Sequence, residues 1–139
     1  VWAHDYHLIP FARMLREEGF KGRVGFFLHV PFVPPSMLEA IPVARELVAD
    51  LCAYDLVGFQ TEEHARDFRD CAQRLLGARI DGEWVRLERR RVRAFADPIG
   101  IDAQAFAQEA ERAAGDKLVQ RVAGSLSGRA LAIGVDRMD

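Results

Sequence analysis

Two cysteines in 139 residues are too few for a disulfide framework, and Cys52 and Cys71 both fall in stretches with helical apolar spacing. They are expected to be buried, reduced thiols, which points to a cytoplasmic setting. No apolar run approaches the ~20 residues that a membrane helix needs, so no membrane partner is expected. A strong charge of either sign is also missing. The formal net charge is −2, which excludes a general nucleic-acid or polyanion binder. Several catalytic signatures are absent too: there is no G-x-S-x-G elbow, no P-loop and no G-x-G-x-x-G fingerprint. No metal is expected, because His4, Asp5 and His7 share a turn and lack the H-E-x-x-H helical spacing of a zinc site. No start methionine or basic-then-apolar leader precedes Val1, and the chain stops just after another apolar run. A piece of a longer protein is the expectation.

What is present is enough to build a core. Apolar residues make up 50% of the chain and charged residues 29%, within the size of one domain. The stretch Val24 to Ser36, V-G-F-F-L-H-V-P-F-V-P-P-S, organises the rest. Its apolar opening, Val24 to Leu28, reads as a strand buried on both faces of a parallel sheet. Pro31, Pro34 and Pro35 cannot donate to a ladder and end it. His29 then stands at the carboxyl end of that strand, the edge at which open α/β sheets bind ligands. It can present a ring nitrogen there, or it can be a core histidine satisfied by a carbonyl.

The remaining elements alternate. Val1 to His4 reads as a strand end, Asp5-Tyr6-His7 as a turn and Leu8 to Glu18 as a helix stopped by Gly19. Ser36 starts a short helix, and Pro42 separates it from a second over Val43 to Ala53. Asp55 to Phe59 is a strand with Gln60-Thr61 at its carboxyl end. Thr61 caps a helix running to Leu76 and closed by Gly77. Ile80 to Val85 carries an Asp-Gly hairpin signal, and Val92 to Phe95 is a further strand. Arg86, Arg89, Arg90, Arg91 and Arg93 cluster about this hairpin, where a solvated face is the expectation rather than a phosphate site. Asp102 caps an alanine-rich helix over Ala103 to Ala123 with a break at Gly115. Ala130 to Val135 is expected to be a final buried strand. Trp2 is expected in the core and Trp84 on the hairpin. Such alternation implies a Rossmann-like, doubly wound parallel sheet with flanking helices.

Three strand ends then gather polar groups: His4-Asp5-Tyr6-His7, His29 and Asp136-Arg137. Parallel strands place them on one edge. Asp5 suits sugar hydroxyls, and the planar guanidinium of Arg137 suits a diphosphate. A phosphorylated or nucleotide-linked polyhydroxy substrate fits such a cleft.

At these same residues the chain resembles the trehalose-6-phosphate synthase family of retaining glycosyltransferases. The matching segments are V-W-A-H-D-Y-H-L-I-P (Val1 to Pro10), G-F-F-L-H-V-P-F (Gly25 to Phe32), D-L-V-G-F-Q-T (Asp55 to Thr61), P-I-G-I-D (Pro98 to Asp102) and G-V-D-R-M-D (Gly134 to Asp139). The resemblance implies a two-domain GT-B architecture. Residues 1–97 would be the later part of the N-terminal, acceptor-side domain, 98–128 the passage between domains, and 129–139 the first strand of the donor-side domain. It implies that Asp5 binds the acceptor glucose 6-phosphate and that His29 contacts the glucosyl group of a nucleotide-diphosphate glucose, the two being the catalytic pair. Val30 would line a wall that selects the acceptor anomer, and Arg137 would hold the donor diphosphate. No cofactor is implied. A homo-oligomer is possible for the full-length protein. A synthase acting on another phosphorylated acceptor, such as glycerol 3-phosphate, or a non-catalytic sugar-phosphate-binding homologue, shares the same segments. Val33-Pro34-Pro35 and Phe95-Ala96-Asp97 depart from the family pattern beside matched segments.

Overall fold

The computed structural model describes residues 1–135, in two compact units, Val1–Ile99 and the residues from Gly100 on. The first unit runs β1 (Trp2–His4), α1 (Phe11–Glu17), β2 (Gly25–Leu28), α2 (Pro35–Leu38), α3 (Ala44–Leu51), β3 (Leu56–Phe59), α4 (Glu62–Leu76), β4 (Arg79–Asp81), β5 (Trp84–Arg86) and β6 (Arg91–Ala96). Its sheet has the order β1-β2-β3-β6-β5-β4. The first four strands in that order are parallel, and the β4–β5 hairpin adds two antiparallel strands beside β6. This is the Rossmann-like α/β class that the alternation implies, with the hairpin where Asp81-Gly82 signals it.

Register divides the sheet into two unlike faces. Ala3, Phe26, Val57 and Ala94 stand in one row and all are buried. They join Leu28 and Phe59 in a single core with Ala12 of α1, Leu38 of α2, Val48 and Leu51 of α3, and Phe68 and Cys71 of α4. The opposite rows are Trp2, Gly25, Leu56 and Arg93, then His4, Phe27, Gly58 and Phe95. Doubly wound cover is therefore not what the described residues show. The parallel strands advance in one direction across the sheet, and right-handed crossovers then put every intervening helix on the same face.

That one-sided cover corrects the expectation for Trp2, which is 47% exposed rather than in the core. Two local boundaries also differ. Before α1, Asp5 caps a single 3-10 turn, Tyr6–Leu8, so the α-helix begins only at Phe11. α4 starts and stops as its ends dictate: the Thr61 hydroxyl accepts from the His64 amide, and Gly77 closes it.

The second unit holds α5 (Ala103–Ala113) and α6 (Lys117–Ser125), capped by the carboxylates of Asp102 and Asp116 and separated at Gly115. The expected strand over Ala130 to Val135 does not form. Leu131, Ile133 and Val135 are exposed, and no strand among the described residues pairs with them. A strand without a neighbour leaves its amides and carbonyls unpaired, so apolar sequence alone does not make one. No helix among the described residues is long and apolar enough to cross a membrane.

Candidate active site

β1 and β2 are adjacent and parallel, so their carboxyl ends open on the same edge. The Asp5 amide donates to the Phe27 carbonyl at 2.9 Å, which carries the ladder one residue beyond β1. The chain then turns sharply. Asp5 has φ 68° and ψ 164°, and its Oδ1 accepts from the Tyr6 amide at 3.0 Å. Its Oδ2 receives no hydrogen bond from the described residues. The turn is tied to the core by Tyr54, whose hydroxyl donates to the Leu8 carbonyl. Tyr54 is fully buried and packs its ring 4.9 Å from that of Phe26. A half-buried carboxylate is thus held by backbone on one side, with one oxygen free.

His29 follows β2 directly. It is exposed, which removes the alternative of a core histidine satisfied by a carbonyl. Its Nε2 lies 3.0 Å from Nδ1 of His4, with ring centroids 5.2 Å apart and the ring planes within 21° of each other. Phe27 is their neighbour on the same face, its ring tilted to both, with centroids 4.9 Å from His29 and 6.5 Å from His4. Val30, next along, is half-buried against the core. The same edge continues at β3, where the side-chain Oε1 of Gln60 accepts from the Ile99 amide at 3.0 Å and so ties the Pro98–Asp102 segment's start to the end of β3. Asp5, His29 and Val30 are therefore brought to one edge. Arg137 lies outside the described residues.

Most of the arginine cluster behaves as a solvated hairpin face, but Arg90 departs from that expectation by turning inward to donate to the Ala53 carbonyl. Arg86 pairs with Asp81 at 2.6 Å, Arg93 with Glu83 at 2.7 Å, and Arg91 stacks 4.8 Å over the ring of Trp84. A hollow of about 520 Å³ lies on this side, lined largely by arginines, and one of about 560 Å³ lies at the amino-terminal end of the strands, where Cys52, Leu76 and Leu87 line it as well as arginines. Neither includes Asp5 or His29. Convergent polar groups with a free oxygen weigh more than volume here, so the carboxyl edge is taken as the site.

Three participants have no role assigned by residue type along the chain: His4, Tyr54 and Gln60. His4 had a signal, since it ends the strand beside His29's. The part of Tyr54 rests on a contact 46 positions away in sequence, which no local pattern carries.

The family model described as glycosyltransferase family 20 matches residues 1–139. A trehalose-6-phosphate synthase from Sinorhizobium fredii is 39% identical over 140 residues, covering 100% of this chain and 30% of its own. An α,α-trehalose-phosphate synthase (UDP-forming) from Burkholderia vietnamiensis has a solved structure that is 44% identical with a TM-score of 0.90, covering 99% of this chain and 30% of that one. Another, from Burkholderia xenovorans in complex with glucose-6-phosphate, is 42% identical with a TM-score of 0.85, covering 92% and 29%. The chain spans about 30% of the length of the relatives it matches. A match along the entire chain, joined to the geometry that sets the H-D-Y-H and F-L-H-x-P-F segments side by side, means that this chain belongs to glycosyltransferase family 20.

Proposed function

We propose that the full-length protein transfers glucose from a nucleotide-diphosphate glucose to glucose 6-phosphate, giving α,α-trehalose 6-phosphate with retention at the donor's anomeric carbon. The supporting observation is the Oδ2 of Asp5, unengaged by any described residue, on the same edge as the exposed imidazole of His29, at the carboxyl ends of adjacent parallel strands. The relatives add to it, one being UDP-forming and one complexed with glucose-6-phosphate. UDP-glucose is accordingly the donor of choice.

In this reading residues 1–97 form the acceptor side of a GT-B enzyme, 98–128 pass between domains, and 129–139 begin the donor side. Asp5 accepts hydrogen bonds from acceptor hydroxyls. His29 orients the donor glucosyl group, and Val30 walls the acceptor's anomeric side. Arg137 would meet the donor diphosphate. The C1–O bond to the leaving phosphate breaks while a C1–O bond to the acceptor's anomeric oxygen forms on the same face. The acceptor's proton passes to the leaving phosphate oxygen. Retaining glycosidases instead place a nucleophilic carboxylate ~5–5.5 Å from a second carboxyl. Here Asp5 is given to the acceptor, so catalysis rests on positioning and charge stabilisation. No cofactor enters the proposed reaction. Its substrates, a sugar phosphate and a nucleotide sugar, place it in the cytoplasm.

The test is turnover by purified full-length protein with UDP-glucose and glucose 6-phosphate. Glucose 6-phosphate-dependent UDP release, with an α,α-linked disaccharide phosphate by NMR, is expected. Preference for glycerol 3-phosphate would reassign the acceptor. Silence with every nucleotide sugar and acceptor would leave a sugar-phosphate-binding homologue in place of an enzyme. Arg137→Ala should chiefly weaken nucleotide binding, read by calorimetric titration, and unchanged affinity would remove Arg137 from the donor site.

A further inference from the structure

We propose that His4 is a positioning residue for His29: its Nδ1 occupies Nε2 of His29, fixes that ring, and leaves Nδ1 of His29 as the atom presented to the ligand. The inference rests on the reading of His29 as a donor-site residue, and extends it to a side chain that does not itself need to touch substrate.

The geometry is specific. Two imidazole nitrogens 3.0 Å apart need one proton between them, so one ring donates and the other accepts. Two facing N–H groups would repel. The contact therefore holds for two neutral rings or for one imidazolium beside one neutral ring, and not for two cations. In each permitted arrangement Nε2 of His29 is engaged, and rotation of its ring to swap nitrogens would break the bond. The proton state of Nδ1 is then coupled to the proton between the rings. When His4 donates, Nδ1 of a neutral His29 carries the hydrogen and can donate to a sugar or phosphate oxygen.

Backbone contacts place His4 as firmly as they place His29. His4 is registered opposite Phe27, and the following amide, of Asp5, donates to the Phe27 carbonyl. His29 is two positions beyond Phe27 on the same face. The Phe27 ring, 5% exposed, stands beside both imidazoles on the same sheet face, closer to His29 than to His4. Both histidines are exposed, so holding two side chains in one rotamer yields little net stability. A role in orienting the outer nitrogen gives that ordering a use.

The experiment uses the full-length protein with UDP-glucose and glucose 6-phosphate. His4→Phe keeps a ring beside Phe27 but removes Nδ1. His4→Asn puts an amide near the position of Nδ1 and can keep the hydrogen bond. His4→Phe should lower kcat about 10- to 100-fold with little change in donor KM, as loss of a positioning contact felt mainly in the transition state would. His4→Asn should recover most of that loss. In a His29→Ala background, His4→Phe should cost nothing further, because His4 acts through the ring that is already gone. Long-range ¹H–¹⁵N spectra of the histidines supply a readout independent of turnover: the His29 nitrogen shifts should change in His4→Phe and stay near the parent's in His4→Asn. A kcat for His4→Phe within twofold of the parent, or losses from His4→Phe and His29→Ala that multiply, would overturn the proposal. An Asn variant as impaired as the Phe variant would do the same. If His29→Ala itself turns over at the parent's rate, the donor-site reading of His29 falls and this inference with it. An inactive His29→Ala beside a silent His4→Phe removes this inference alone.

Discussion

Asp5 sits at φ 68° and ψ 164°, a region that glycine enters freely and other residues occupy at a cost of about 1–3 kcal/mol. Strain of that kind persists where the surroundings over-determine it. Here the Phe27 carbonyl holds the amide of Asp5, the Tyr6 amide holds Oδ1, and Tyr54 holds the turn from within the core. The strain makes a test that separates conformation from chemistry. Alanine normally beats glycine in folded chains by removing freedom from the unfolded state. At this position the order should invert, with Asp5→Gly more stable than Asp5→Ala by about 1 kcal/mol in thermal or urea denaturation. Both variants lose the carboxylate. Under the proposed reaction, both should therefore raise the full-length protein's KM for glucose 6-phosphate by at least about tenfold while changing donor binding little. Equal losses for acceptor and donor would count against Asp5 as an acceptor-side group, and an Ala variant more stable than the Gly variant would show that the turn is unstrained.

At the scale of elements, the two glycines of the open sheet face matter because aromatic rings lie over them. A Cβ built on Gly58 would come 2.6 Å from the Phe27 ring, and one on Gly25 would come 2.1 Å from the Trp2 ring. The consequences differ because the rings differ. Phe27 is 5% exposed and has little room to give, whereas Trp2 is 47% exposed and can swing outward. Gly58→Ala should cost about 1–3 kcal/mol in urea denaturation, and Gly25→Ala less than about 1 kcal/mol with a change in Trp2 fluorescence. Gly58→Ala should also reduce turnover, since the displaced Phe27 ring is the neighbour of His29, with centroids 4.9 Å apart. Equal costs would mean that Phe27 is free to move. Much of this layout was legible in the sequence. The Val24–Leu28 run, the prolines after it, the caps Thr61, Gly77 and Asp102, and the Asp-Gly hairpin each carry a local physical signal, and Asp5 and His29 fall at strand ends. What could not be read depends on contacts distant in sequence. Asp5's own turn intercepts the expected start of α1, the Tyr54 anchor spans 46 positions, and the exposure of Trp2 follows from which sheet face the helices cover. Ala130 to Val135 has a strand's composition, but a strand is a property of a pair.

The first unit as a whole is a sheet with its helices on one face, and the three most strongly shifted acids on that side report on its integrity together. Burial pushes the Cys52 thiol up from an ordinary value of 9.0 to about 12, against a small opposing pull from Arg90. Cys71 rises to about 12 by burial, helped by the nearby charges of Asp67, Asp70 and Glu39. The Tyr54 hydroxyl rises from 10.0 to about 12, again chiefly by burial. Two consequences can be separated. In the native state at pH 8 the thiolate fraction is on the order of 10⁻⁴, so a thiol reagent should label Cys52 and Cys71 only when the core opens. Labelling rates should therefore track denaturant and coincide for the two residues, because α3 and α4 share one core. The pH dependence follows from the sign of the shifts. All three groups bind their proton more tightly folded than unfolded, so their contribution to stability is whole below about pH 9 and is lost as pH rises through about 12. Melting temperatures recorded across that interval should fall steadily. Cys52→Ala with Cys71→Ala should flatten part of the slope, leaving the part that belongs to Tyr54. A melting temperature constant from pH 9 to pH 12, or rapid labelling of one cysteine at pH 8 in the absence of denaturant, would mean that the helical face is not closed over this core.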